Sequence, residues 1–195
     1  TSTGDSKYIT SEEARAYVHQ LRSEVDAVMI GLNTVLRDNP KLTPRLFTGK
    51  DPIKIVVDSK LKIPKNCNLM KEPAKLIIAA TNMASKNDIN KLHQKGINVI
   101  ITKSKKGMVD LDELMKHLGK SEITSIMIEG GSQLNSSAIK SGIVDKILIF
   151  TAPKIIGNGI GAIGSLGIKK IDKAINLKNT ITKKIGKDLL IEGYL

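Results

Sequence analysis

The 195-residue sequence contains one cysteine, no tryptophan, two phenylalanines and three tyrosines. A lone thiol, Cys67, can neither close an internal disulfide nor build a cysteine-rich zinc site. A reducing cytoplasm is the default compartment for such a chain. The aromatic share of 3% leaves few platforms for stacking nucleobases. Long apolar runs are missing too. Stretches such as 27–32 and 147–152 fall far short of the ~20 residues a membrane helix needs. No basic segment followed by an apolar one opens the chain, so nothing marks it for export. His19, His93 and His117 fall on separate elements without metal-ligand spacing, and H-E-x-x-H, C-x-x-C, G-x-S-x-G and the full P-loop pattern do not occur. The sequence therefore carries no expectation of a metal.

What is present is lysine. The formal charge is +12, which opens a reading as a basic nucleic-acid-binding domain. The lysines are scattered, however, and a solvated lysine surface explains them as well. The arginines are more informative. Of the 31 basic residues only Arg15, Arg22, Arg37 and Arg45 are arginine, and all lie within residues 15–45. A chain that otherwise uses lysine keeps arginine where a planar fork grips phosphate or carboxylate. Chance clustering with surface ion pairs is the competing explanation.

An apolar share of 41% at this length supports one domain with a sizeable core. Thr10-Ser-Glu-Glu13 fits a capping box with Thr10 as N-cap, followed by Ala14, Val18, Leu21 and Val25 at helical spacing. Buried strands are expected over 27–32, 53–57, 76–80, 97–102, 125–128 and 145–152, and helices over 85–95, 110–118 and 132–140. Residues 33–44 read as a long loop. The alternation predicts an α/β fold, a mostly parallel sheet with helices on both faces. A Gly-rich stretch, 157–167, precedes two antiparallel C-terminal strands over 171–182 and 188–194, with a turn near Gly186.

Three constellations could carry chemistry. In IMIEGGSQLNSS (126–137) a buried strand ends in Glu129, and Gly130 and Gly131 turn the chain into a helix. Amide groups at such a helix start suit a phosphate or pyrophosphate. The position at a strand's carboxyl end is where open α/β sheets bind ligands. A tight turn with no ligand fits the same letters. In GLNTVLRDNPKLTPR (31–45), Thr34, Asp38, Thr43 and Arg45 follow a buried strand directly. An Asx-type turn at Asp38-Asn39-Pro40 is the plainer alternative. Asp58-Ser59-Lys60 ends the IKIVV strand and is weaker still as a phosphate site.

In combination these stretches are specific. TSTGDSKYITSEEARAYVHQLRSEVDAVMIGLNTVLRDNPKLTPR, DPIKIVVDSKLKIP, IMIEGGSQLNSSAIKSGIVDKILIFTAPKIIG and DLLIEGYL, in that order, resemble the reductase domain of riboflavin biosynthesis, over essentially the whole chain. The resemblance implies a dihydrofolate-reductase-like fold, NADPH as cofactor and a homodimer. It also implies reduction of the ribosyl group of 5-amino-6-(5-phosphoribosylamino)uracil to a ribityl chain. By position it implies substrate contacts from Ser6, Arg22, Leu42, Arg45 and Glu129. Cofactor contacts are implied for Thr34, Asp38 and Ser59, for Gly130, Gly131, Ser132, Gln133, Leu134, Asn135, Ser136 and Ser137, and for Tyr8, which stands where the family often has tryptophan. Lys60 or Lys62 would hold the 2′-phosphate, and Asp38 and Glu129 would lie nearest the reacting carbon. The related archaeal and fungal reductases, which act on the diaminopyrimidinone, are the alternative. Family members begin with a further strand and an S-L-D-G-K-like segment ahead of the position of Thr1, and in bacteria follow a zinc deaminase domain. The chain is read as a piece lacking both.

Overall fold

The computed structural model describes residues 1, 5, 7–45 and 49–195. Its centre is a five-stranded parallel sheet of β1 (Ala27–Gly31), β2 (Ile53–Val57), β3 (Leu76–Thr81), β4 (Asn98–Thr102) and β7 (Ile126–Ile128), in the order β4-β3-β2-β1-β7. The uninterrupted apolar runs of β1, β2 and β3 follow from burial on both faces. Alternate residues serve opposite cores. Val28, Ile30, Val56 and Ile78 pack with Val35, Leu69 and Leu92 on one face. Ala27, Met29, Ile55 and Ile77 pack with Leu111, Leu114, Leu118 and Ala138 on the other. The first face is covered by α2 (Leu32–Asp38) and α3 (Lys86–Gln94), the second by α4 (Leu111–Lys120) and α5 (Ser132–Ser141). The expected α/β architecture is present.

Four local expectations need correction. The first helix, α1 (Glu12–Glu24), is capped by Ser11, not Thr10: Ser11 Oγ accepts from the Ala14 amide at 3.2 Å. Ser11 is held outside the helix because its own amide donates to the buried Asp188 carboxylate at 2.7 Å. Second, the expected loop over 33–44 begins as the short helix α2. Val35 buries its side chain, and Asn39, in left-handed conformation, ends the helix by donating its amide to Val35 O at 3.0 Å.

Third, the expected strand over 145–152 is β8 (Lys146–Thr151), but it is not a member of the parallel sheet. It pairs antiparallel along six residues of β10 (Asp188–Tyr194), which in turn pairs with β9 (Lys178–Ile185). A six-residue ladder offers β8 more hydrogen bonds than the three-residue β7 could. Among the described residues, β7 and β8 each have one strand neighbour. Fourth, the first C-terminal strand starts only at Lys178; residues 171–173 form a single 3-10 turn. The turn at Gly186, φ +60°, falls where expected.

A small hairpin, β5 (Ser104–Lys105) with β6 (Met108–Val109), was not foreseen. Its turn residues Lys106 and Gly107 both have positive φ, the geometry that favours two-residue hairpins. No helix among the described residues is long and apolar enough to cross a membrane.

Candidate functional site at the carboxyl edge of the parallel sheet

Because β1, β2 and β7 are parallel, their following residues emerge on one edge. Gly31 leads into α2, Asp58 and Ser59 follow β2, and Glu129 follows β7. The Glu129 amide donates to Met29 O at 2.9 Å, so this residue continues the ladder at the sheet's rim.

Gly130 and Gly131 have φ of +66° and +82°, values that side-chain-bearing residues rarely adopt. A Cβ on Gly131 would lie 3.3 Å from Thr34 Oγ1. The glycine turn and the start of α2 are thus in direct proximity, which joins two of the three sequence constellations. Gly131 is also the N-cap of α5, and among the described residues no side chain caps that helix. Its first-turn amides are the kind of donors that receive an anion. This combination fits a pyrophosphate group.

Across the turn, Arg22 from the last turn of α1 grips Glu129 at two points. Nε donates to Oε1 at 2.6 Å and Nη2 to Oε2 at 2.7 Å. Both side chains are largely buried. Arg22 Nη1 also donates to Thr43 O at 3.3 Å, and His19 Nδ1 meets the same carbonyl at 2.9 Å. Burial, helped by the charges of Arg22 and Arg45, holds the His19 pKa below the usual histidine value. A neutral imidazole with its proton on Nδ1 is the form that donates to Thr43. Arg45, two residues on, is exposed beside this group. The Gly130–Gly131 turn and Arg45 are therefore connected through Glu129, Arg22 and Thr43.

The other nominated residues divide clearly. Asp38 is exposed one helical turn beyond Thr34 on α2, and i,i+4 residues share a face. Ser59 follows β2 on the same sheet edge, half-buried. Leu42 is 2% exposed and its side chain packs in the core, away from solvent. Leu134 and Ser136 are likewise buried; the Ser136 hydroxyl donates to Gln133 O at 3.0 Å. Asn135 Nδ2 donates to Ala162 O at 2.9 Å, in the Gly-rich segment. Gln133 is exposed, with its amide 3.7 Å from Met108 Sδ, and Ser137 is half-buried on α5. Tyr8 is not brought to this group by any described contact. It precedes α1, its ring lies under the Arg15 guanidinium at 4.5 Å, and Lys154 Nζ donates to its carbonyl at 2.7 Å. Ser6 lies outside the described residues. His19 is a residue the sequence reading passed over. Its spacing of three from Arg22 on a helix, which puts both on one face, was the available signal.

Comparison with known proteins decides the family. The RibD C-terminal domain model matches residues 1–191. The chain belongs to the RibD C-terminal domain family. Riboflavin biosynthesis protein RibD of Actinobacillus pleuropneumoniae is 40% identical over 199 residues, covering 98% of this chain and 52% of that protein. The chain thus spans about half the length of such RibD relatives. A 2,5-diamino-6-ribosylamino-4(3H)-pyrimidinone 5′-phosphate reductase of Aquifex aeolicus is 34% identical over 187 residues, covering 94% of this chain and 83% of that protein. Among solved structures, RibD from Acinetobacter baumannii superposes with a TM-score of 0.84 at 21% identity, over 100% of this chain and 53% of that one. The fold is the dihydrofolate-reductase-like fold of these reductases.

Proposed function

We propose that this domain is the pyrimidine reductase of riboflavin biosynthesis, an oxidoreductase using NADPH to convert the ribosyl group of 5-amino-6-(5-phosphoribosylamino)uracil to a ribityl chain. One observation carries the reading: a single sheet edge unites the Gly130–Gly131 turn and Thr34 with the Arg22–Glu129 pair and Arg45. One half suits a dinucleotide, the other a sugar phosphate.

When bound, the nicotinamide cofactor supplies the hydride. The protein's task is to hold two carbons at near-attack distance and to exclude misplacement. The amides of Gly131 and the first turn of α5 would hold the pyrophosphate. Thr34 and Asp38 would contact the cofactor on the nicotinamide side, and Ser59 with Lys60 or Lys62 would hold the 2′-phosphate. Arg45 grips the substrate 5-phosphate, so binding energy far from the reacting carbon positions it. Arg22 fixes the orientation of Glu129, leaving its carboxylate rim to receive substrate N–H or O–H groups. His19 holds the Thr43 carbonyl and with it the strand of chain that leads to Arg45.

The reading extends to a cytoplasmic homodimer, fused to a deaminase domain in the full-length protein. A second reading, reduction of the diaminopyrimidinone before deamination, is favoured by the 34% identity to the Aquifex reductase. The test is oxidation of NADPH by the purified chain with each phosphoribosylaminopyrimidine. Turnover with the uracil supports the first reading and turnover with the diaminopyrimidinone alone the second. Absence of cofactor oxidation with both overturns the proposal.

A further inference from the structure

Asp58 is a buried carboxylate without a charged partner among the described residues. It is 2% exposed and follows β2, where its amide extends the parallel ladder by donating to Ala79 O at 2.9 Å. Its side chain turns back into the loop that follows. Oδ2 accepts from the Ile63 amide at 2.7 Å and Oδ1 from the Lys60 amide at 3.3 Å. Leu61, with φ of +54°, donates its amide to Asp58 O at 3.2 Å. Burial pushes the Asp58 carboxyl above the usual carboxylate range, although the surrounding amides, led by that of Ile63, pull the other way. Desolvating a carboxylate is costly, but an amide of equal shape would turn its NH2 toward one of these two backbone donors, so only the carboxylate accepts from both. Asp58 is therefore the side chain that specifies the shape of this turn.

The loop it shapes has a second anchor. The Ser59 carbonyl accepts from both the amide and the hydroxyl of Thr81, at 3.2 and 2.9 Å. Thr81 is fully buried at the end of β3. Ser59 is thus held through its backbone from the sheet side, while Asp58 gathers the amides of the residues after it. The outcome is a hydrogen-bonded turn that carries half-buried Ser59 and the exposed residues Lys60 and Lys62 directly after β2, at the carboxyl edge of the parallel sheet. A lysine is a point charge on a flexible stem, and fixing the backbone it starts from narrows where its ammonium group reaches.

We infer that Asp58 and Thr81 are positioning residues that set the Ser59–Lys62 turn for the 2′-phosphate of the cofactor, and so determine its preference for NADPH over NADH. The inference rests on the proposed cofactor reading and adds two residues that touch no ligand.

The test is titration of the 195-residue chain with NADPH, NADH and adenosine 2′,5′-bisphosphate, following binding by fluorescence and thermal shift. The same measurements are made on Asp58→Asn and Thr81→Val. Thr81→Val keeps shape and removes the hydroxyl, with its bond to the Ser59 carbonyl and the one it accepts from the Met83 amide, so it guards against a misfolded Asp58 variant. Each variant is expected to weaken NADPH and the bisphosphate by at least about fivefold while changing NADH by less than about twofold. The NADPH-to-NADH ratio is the readout that a merely structural role leaves alone. Equal weakening of all three ligands, or unchanged affinity in folded variants, overturns the inference and leaves the cofactor reading intact. Failure of the unmodified chain to bind NADPH overturns both.

Discussion

The Arg22 guanidinium and the Glu129 carboxylate, 107 residues apart, meet edge to edge through two hydrogen bonds of 2.6 and 2.7 Å. This pair locks the end of α1 to the carboxyl end of β7. It also presents Glu129 in one orientation beside the glycine turn. Two-point pairing of this kind depends on the planar fork of arginine, which lysine does not reproduce.

Arg22→Lys is accordingly expected to reduce kcat/KM for the pyrimidine substrate by about 100-fold, equivalent to about 3 kcal/mol, with NADPH affinity unchanged. Glu129→Gln should give a comparable loss. Because both groups are largely buried, either variant should also lower folding stability by about 1–3 kcal/mol. Steady-state kinetics and urea unfolding measure the two effects. A variant that loses stability but keeps substrate kcat/KM would remove the pair from the substrate site.

Gly164 tests the role of the Gly-rich segment. Its amide donates to Ser132 O at 3.0 Å, and a Cβ there would lie 3.1 Å from both that oxygen and Ser136 Oγ. Lys140 Nζ and Asn135 Nδ2 add bonds from α5 to the same segment. Gly164→Val is expected to destabilise the fold by about 1–3 kcal/mol and to raise KM for NADPH, since it displaces the first turn of α5. Unchanged melting temperature and cofactor KM would show that the segment does not brace the helix.

Asp26 predicts the acid limb of stability. Its Oδ2 accepts from the amides and hydroxyls of Thr124 and Ser125, tying the start of β1 to the approach to β7. These bonds, that from the Thr124 amide foremost, lower its pKa to about 2 from 3.8. The folded value lies below the unfolded one, so the contribution is fully present above about pH 4 and is lost as pH falls toward 2. Asp26→Asn should flatten stability over that window in denaturant titrations at several pH values. A variant with the parent's acid slope would remove Asp26 as its source.

Glu192 clamps the antiparallel sheet. Buried on β10, it receives Lys146 of β8 at 2.7 Å and Lys183 of β9 at 2.8 Å. The hydrogen bonds from Lys146 and Lys183 hold its carboxyl below, and the two ammonium groups above, their ordinary values. Glu192→Ala leaves two facing lysines without their counter-charge. It is expected to cost about 1–3 kcal/mol, less than a fully buried pair because both lysines reach solvent. Loss of the effect at high salt would assign it to screened surface charge.

Much of the fold was legible because burial leaves a direct trace in composition. Residues 27–32, 53–57 and 76–80 read as buried strands, and strands stand over Ala27–Gly31, Ile53–Val57 and Leu76–Thr81. The helix expected over 110–118 stands over Leu111–Lys120 and carries Leu111, Leu114 and Leu118 into the core. The E-G-G turn was visible because Gly130 and Gly131 occupy backbone conformations that few other residues adopt. The capping of α1 was misplaced by one residue because its deciding partner, Asp188, is 177 positions away. The same holds for β8, whose strand character was evident but whose ladder partner, β10, was not.

The order of strands and helices, the glycine turn and the enrichment of arginine near the amino-terminal part are properties of the amino-acid string, since periodicity and conformational preference act over a few residues. Which sheet β8 joins, the pairing of Arg22 with Glu129, the enlistment of His19 on Thr43 and the desolvation of Asp58 were settled only on folding. Each depends on contacts between segments distant along the chain, and local propensity holds no information about distances that the packed core alone imposes.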